Sequence, residues 1–181
     1  MAVKERERLI TAEELFEMGD IGPCELVKGV LVMQNPTGAR HGYIVAKLAR
    51  LLGNFAEERD FGVVLGPGVG LLVSRRPDTV RAPDLMFYRK GRLDPSSIPE
   101  GYLDVPPDLV VEVVSPSDSW SDVEAKVEEY LGMGVKAVWV VDPQRRAVTV
   151  LPERRTLKEG EALEGGEALP GLSIPVSTLF E

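Results

Sequence analysis

Apolar and polar positions alternate along this chain with two different periods, and the switches between them mark out the elements. Ile10 and Leu15 bracket Thr11-Ala12-Glu13-Glu14, the pattern of a capping box with a hydrophobic staple. A short helix follows from it and closes near Gly19. Residues 24–34 are rich in strand formers, with Gly29 at a turn or bulge. Pro36 and Gly38 break that run. From His41 to Arg59 the residues Ile44, Leu48, Leu51, Leu52 and Phe55 fall at i, i+4, i+7, i+8 and i+11, the stripe of a long amphipathic helix.

Residues 63–74 read as a glycine-punctuated hairpin, and residues 82–88 as a short strand behind a proline. Residues 91–107 are a loop rich in Pro, Gly, Ser and Asp. Residues 109–114, LVVEVV, are almost continuously apolar, as in a strand buried on both faces. Ser121-Asp122-Val123-Glu124 reads as a second capping box. The helix behind it carries Val123, Val127, Tyr130 and Leu131 on one face and closes at Gly132 or Gly134. Residues 137–141 form another buried strand, stopped by Asp142-Pro143, and residues 147–151 continue as a strand. The remainder reads as a β edge plus a tail. A strand–helix–strand crossover from Leu109 to Val141 demands a parallel pair with right-handed connection. The class is therefore α/β or α+β, a mixed central sheet flanked by helices, expected as one domain over residues 1–181.

Composition sharpens this picture in a few places. A chain of 181 residues, 44% hydrophobic and 28% charged, suits a single core and is unlike a disordered chain. Its longest apolar run, residues 137–141, is far too short to cross a bilayer. The opening MAVKERERLI is charged and lacks an apolar h-region, so no signal peptide is expected. Cys24 is the only cysteine, which rules out an intrachain disulfide and fits a reducing cytoplasm. The net charge of −8 argues against routine tight binding to duplex DNA, which favours a basic footprint. A cluster of acids is nonetheless what a hard metal ion needs.

One constellation carries chemistry. Glu112 lies in the middle of LVVEVV, where a lone carboxylate is expensive, so it must be protonated, paired or bound to a cation. Asp84 follows Pro83 at the start of a strand whose other residues are apolar. Two carboxylates from adjacent strands can share a face and hold Mg²⁺ or Mn²⁺. Lys126 flanks the apolar stripe of its helix and reaches over the end of the Glu112 strand, where it would orient or deprotonate a water or stabilise developing phosphorane charge. Taken singly, each has a plainer explanation: an arginine pair for Glu112, a turn for Asp84, a snorkelling side chain for Lys126. His41, the only histidine, is either an accessory ligand or proton shuttle, or a cap or satisfied core residue. Glu25 is either a third carboxylate or an exposed strand residue.

These residues resemble the Uma-two family of restriction-endonuclease-like nucleases. The likeness rests on Glu25-Leu26-Val27 before a glycine, Arg40-His41-Gly42 opening a helix, and Arg81-Ala82-Pro83-Asp84. It continues through PDLVVEVVSP at residues 107–116, Lys126 with Tyr130-Leu131, Gly134-Val135, and VWVVDP at residues 138–143. The resemblance implies the PD-(D/E)xK core, with Pro83-Asp84 as its PD and Glu112 as its second acid. The lysine slot two residues after Glu112 is Val114, and the lysine of this pattern is moved to Lys126. Lys28 and Val30 stand where the family pattern has Asp and Glu.

Two functions follow. The first is an endonuclease hydrolysing phosphodiester bonds in DNA, with Asp84, Glu112 and the Val113 carbonyl holding Mg²⁺ or Mn²⁺ and Lys126 positioning water. Arg75, Arg76, Arg81, Arg89, Lys90 and Arg92 would then contact phosphates, and a homodimer would suit paired cuts. The second is a non-catalytic module on the same fold that binds nucleic acid or protein. A protein-binding version would expose an apolar patch, with residues 169–180 as its expected place.

Overall fold

The computed structural model describes residues 8–181. The expectation about a signal peptide falls largely on residues 1–7 and lies outside the described residues. Helix α1 (Ala12–Glu17) starts where the capping box puts it: the Thr11 hydroxyl accepts from the Glu14 amide at 3.1 Å, and the Thr11 amide donates to the Glu14 carboxylate at 2.8 Å. Strands β1 (Cys24–Val27) and β2 (Val30–Met33) form a hairpin. Its two turn residues, Lys28 and Gly29, both have left-handed φ, 50° and 80°. A Cβ at Gly29 would stand 2.7 Å from that of Leu9, so the turn also needs glycine for space.

The long helix α2 (Ala39–Glu58) buries Ile44, Val45, Leu48, Leu52 and Ala56 along one stripe. Then come β3 (Gly62–Leu65), β4 (Leu71–Ser74), β5 (Thr79–Arg81), β6 (Leu85–Arg89) and β7 (Leu109–Val113). Helix α3 (Trp120–Met133) follows, ended by Gly134 at φ 108°. Last are β8 (Ala137–Asp142), β9 (Ala147–Leu151), β10 (Arg155–Lys158), β11 (Ala162–Glu164) and β12 (Ser173–Pro175).

Among the described residues the strands form a six-stranded sheet, β10-β9-β8-β7-β6-β3, a four-stranded sheet, β2-β1-β5-β4, and a small β11-β12 pair. The crossover through α3 makes β7 and β8 parallel, in register from Leu109–Ala137 to Val113–Val141, while the other pairs are antiparallel. Alternation sorts β7 onto two cores. Leu109, Val111 and Val113 face α2 and the C-terminal segment; Val110 faces Val123, Val127 and Tyr130 of α3. Glu112 therefore points to the α3 side.

Three expectations are corrected here. Residues 63–74 are not a hairpin, because β3 pairs with β6 and β4 with β5. The segment Gly66-Pro67-Gly68 between them gives the chain the freedom to change sheets. The cap of α3 is Ser119, not Ser121: its hydroxyl accepts from the Asp122 amide at 3.2 Å, so the helix begins two residues early. The C-terminal remainder is not a tail. Leu163, Leu169, Ile174, Val176, Leu179 and Phe180 are buried in the same core as α2 and β7. The expected exposed patch over residues 169–180 is accordingly absent.

Substituting Leu169→Ala is expected to cost about 2–5 kcal/mol in urea unfolding, the range for a deleted core leucine. A change within about 0.5 kcal/mol would mark a peripheral tail instead.

Candidate functional site

The site forms where β6 begins and β7 ends. Because β6 is antiparallel to β7 with Leu85 opposite Val111, the residue before the strand, Asp84, lies beside Glu112 and Val113. Pro83 cannot donate a backbone hydrogen bond, so β6 starts only after it. The Val113 amide, left without a strand partner on that side, donates to Asp84 Oδ2 at 2.7 Å. From the first turn of α2, His41 Nε2 approaches the same oxygen at 3.3 Å. The hydrogen bond to Asp84 raises the His41 pKa above its usual value, outweighing burial, with the Asp84 and Asp118 charges adding to it. His41 is thus a buried partner of Asp84.

Glu112 is only 9% exposed. Its Oε1 accepts from the Tyr130 hydroxyl at 2.6 Å, and its Oε2 lies 3.9 Å from Lys126 Nζ. Lys126 sits closer to Glu25, at 3.0 Å from Oε1. Glu25 is itself buried in β1 and accepts from the Ala82 amide at 3.1 Å and from Arg81 Nη1 at 3.0 Å. Arg81 turns its remaining donors to Glu129 of α3, a two-pronged pair at 2.6 and 3.0 Å. A continuous chain of charge therefore runs Glu129–Arg81–Glu25–Lys126–Glu112–Tyr130.

The local fields follow from this chain. Burial pushes the Glu112 carboxyl up to about 7; Asp84 and Glu25 push the same way, against Lys126 and the Tyr130 hydrogen bond. Burial also acts on Glu25, but Lys126, the Ala82 amide and Arg81 outweigh it and hold Glu25 below the usual carboxylate range. For Lys126 the desolvation that would lower its pKa is overcome by Glu112 and Glu25.

Several sequence expectations meet here and others do not. Asp84, Glu112, Val113, Lys126, His41 and Glu25 come together at one strand end. Glu25 is not an exposed strand residue but a buried link. Arg81, expected on phosphate, is buried with its guanidinium committed to Glu129 and Glu25. Arg89 and Lys90 stand at the other end of β6, about 17 Å along the strand from Asp84, and Lys90 pairs with Asp60. Arg92 pairs with Asp108, and Arg75 with Glu13 and Asp78, so neither lies at the carboxylates. The sequence reading missed Tyr130 as a carboxylate donor, though it stands one turn after Lys126. It also missed Asp118 and Asp122, which line a cleft of about 20 Å³ with Glu112, Val113, Val114 and Lys126. That is room for about one water or a small ion. A larger depression, about 600 Å³, lies between Thr11, Arg75, Arg76 and Asp78, at the far end of β5 from Arg81.

The donor set can accept a hard divalent ion. Asp84 uses one oxygen for both its partners, and Glu112 Oε2 makes no hydrogen bond, so each carboxylate keeps an oxygen for a ligand. Among the described residues no three His, Cys, Asp or Glu side chains form a metal-holding group. An ion here would have two carboxylates and water as its donors, a set that Mg²⁺ commonly accepts.

The family model Uma2, described as "Putative restriction endonuclease", matches residues 12–177. No curated protein matches the chain. Among solved structures, one described as a "putative nuclease belonging to DUF820" from Anabaena variabilis ATCC 29413 superposes with a TM-score of 0.81 at 17% identity. The alignment covers 94% of this chain and 97% of that one. At that identity the likeness is one of fold. No helix among the described residues is long and apolar enough to cross a membrane.

The raised Glu112 pKa carries a consequence for stability. Its contribution is fully present below the unfolded carboxylate value and is lost as pH rises through about 7. Glu112→Gln is expected to gain on the parent between pH 5 and pH 8, by about 2 kcal/mol, in denaturant melts with EDTA. A gap that stays constant across that range would show that Glu112 titrates as an ordinary carboxylate.

Proposed function

The chain belongs to the Uma2 family, and we propose that it is a metal-dependent endonuclease that hydrolyses phosphodiester bonds in DNA. The observation that carries this reading is the meeting of Asp84 and Glu112 at one end of β7, with Lys126 reaching the same place from α3. Asp84, Glu112 and the Val113 carbonyl would hold Mg²⁺ or Mn²⁺. When bound, the ion polarises a phosphoryl oxygen and acidifies a coordinated water.

The chain's own residues do the rest. His41 and the Val113 amide both engage Asp84 Oδ2 and fix its orientation, leaving the other oxygen without a protein partner. Tyr130 holds one oxygen of Glu112 and so aims the other. Lys126, kept in place by Glu25, is a donor and a positive charge beside the position where negative charge develops on the phosphorus oxygens. Buried Arg81, anchored by half-buried Glu129, holds Glu25, and through it Lys126. A two-fold dimer would present two such sites for cuts in both strands.

A second reading is a non-catalytic binding module. Two observations favour it: Arg81 faces inward, and Arg89 and Lys90 lie far from the carboxylates, so few cations surround the site in a chain of net charge −8.

Supercoiled DNA incubated with the protein and Mg²⁺ or Mn²⁺ is expected to be nicked, and EDTA to stop it. Asp84→Ala and Glu112→Ala are expected to lose cleavage; Lys126→Ala is expected to lower kcat by about 10²–10³, the range for removing one donor at a developing oxyanion. No cleavage by the parent, or equal cleavage by the variants, would sink the nuclease reading and favour the binding module.

A further inference from the structure

Trp120 has no place in the site as described. The other tryptophan, Trp139, is almost wholly buried in the sheet, whereas Trp120 is 44% exposed at the first position of α3. Burying an indole is worth a good deal, so one left in water at a helix start lacks a packing reason. It is not left bare on every side. The Arg145 guanidinium lies over the ring, 5.1 Å from its centroid. Arg145 is held there by Asp142, which accepts from the Arg145 amide at 3.0 Å and faces its Nε at 3.6 Å.

The topology places this pair beside the cleft. β7 and β8 are parallel, so the loop after β7 and the turn after β8 emerge at the same end of the sheet. Trp120 follows the first and Arg145 lies in the second. Strand order then sets Asp84 at β6, Glu112 at β7 and the Trp120–Arg145 pair over the ends of β8 and β9. Neighbouring strands are about 4.8 Å apart, so across the sheet the pair lies one to two strand spacings from the Glu112 strand, roughly the reach of a neighbouring nucleotide, and one spacing farther from Asp84. Asp122 and Val123, on the same first turn as Trp120, line the cleft itself.

We propose that Trp120, backed by Arg145, is a base-stacking platform that takes an unpaired nucleobase of DNA next to the phosphodiester in the Glu112 cleft. This rests on the nuclease reading for the identity of its substrate. Stacking suits this chain because it adds affinity without the basic footprint that a net charge of −8 withholds. It selects unpaired bases because both faces of a base pair inside a duplex are already covered. Arg145 adds a cation at the rim, where the adjoining phosphate would pass.

Tryptophan emission reads the platform directly, with EDTA present so that cleavage plays no part. A dT12 oligonucleotide is expected to quench the full-length protein, and a 12-base-pair duplex to leave the emission unchanged. Trp120→Ala is expected to weaken dT12 binding about 5- to 150-fold, as for loss of one stacked base. Trp120→Phe is expected to restore most of it, and buried Trp139 reports that both variants are folded. Unaltered dT12 affinity in Trp120→Ala, or no quenching of the parent, overturns the platform; equal quenching by duplex overturns its selectivity. Quenching by dT12 without any metal-dependent cleavage keeps the platform and removes the nuclease. Cleavage that is indifferent to Trp120→Ala, without quenching, does the reverse.

Discussion

A carboxylate in the middle of a wholly buried strand is the constraint around which this molecule is organised. Every residue of β7 is buried, and β7 is a central strand of the six-stranded sheet, with no edge through which Glu112 might escape to water. An unpaired charge there costs several kcal/mol. The surrounding elements supply partners in an order set by topology. The right-handed crossover from β7 to β8 lays α3 over the face to which Glu112 points. Tyr130 and Lys126, one helical turn apart, are thereby delivered to the carboxylate. Had Glu112 stood one residue earlier or later, it would have pointed at α2 and the C-terminal core, away from Tyr130 and Lys126.

Partners alone do not neutralise the site. Along the charge chain, Glu25, Glu112 and Glu129 face only Arg81 and Lys126, and Asp84 brings a further acid shared with His41. The excess is negative, and it adds to burial in holding the Glu112 carboxyl up to about 7, so that a proton on Glu112 relieves it. Groups perturbed by burial together with specific charges cluster at functional positions. The same excess is what would favour a divalent cation under the proposed reading. Stability and the proposed chemistry would then pull in opposite directions on one side chain.

Much of this was legible in the residues. LVVEVV is incompatible with an ordinary surface strand, and Pro83-Asp84 ahead of an apolar run places an acid at a strand start. The Uma2 match and the solved relative agree with the fold read from those pieces. What local pattern could not deliver was pairing between distant segments. β3 and β4 are adjacent in sequence and look like a hairpin, yet each finds its partner elsewhere. Arg81 and Glu129 are 48 residues apart, so nothing near Arg81 hinted that it would turn inward. The C-terminal segment is apolar but interrupted by Pro, Gly and Ser, and only its docking on the α2 core shows those residues to be core and not an exposed patch. The α3 cap failed for a smaller reason: Ser119 and Ser121 both sit ahead of acidic residues, and only geometry chooses between them.

The position of the lysine follows from the same topology. In the pattern that Asp84 and Glu112 fit, a lysine two residues beyond the second acid would share its face by strand alternation. Here that position is Val114, whose amide is still tied to the Val141 carbonyl and whose side chain lines the cleft. Lys126 reaches Glu112 from the overlying helix instead. The proposed hydrolysis would need a cation beside the two carboxylates; the element that supplies it could change as long as α3 covers this face. Carried on the helix, the flexible lysine needs something to hold its ammonium beside Glu112. Glu25 does so at 3.0 Å, and Arg81 and Glu129 hold Glu25. The buried network from β1 and β5 is therefore the natural companion of a lysine carried on the helix, and it explains why an arginine so near the site is turned away from any substrate.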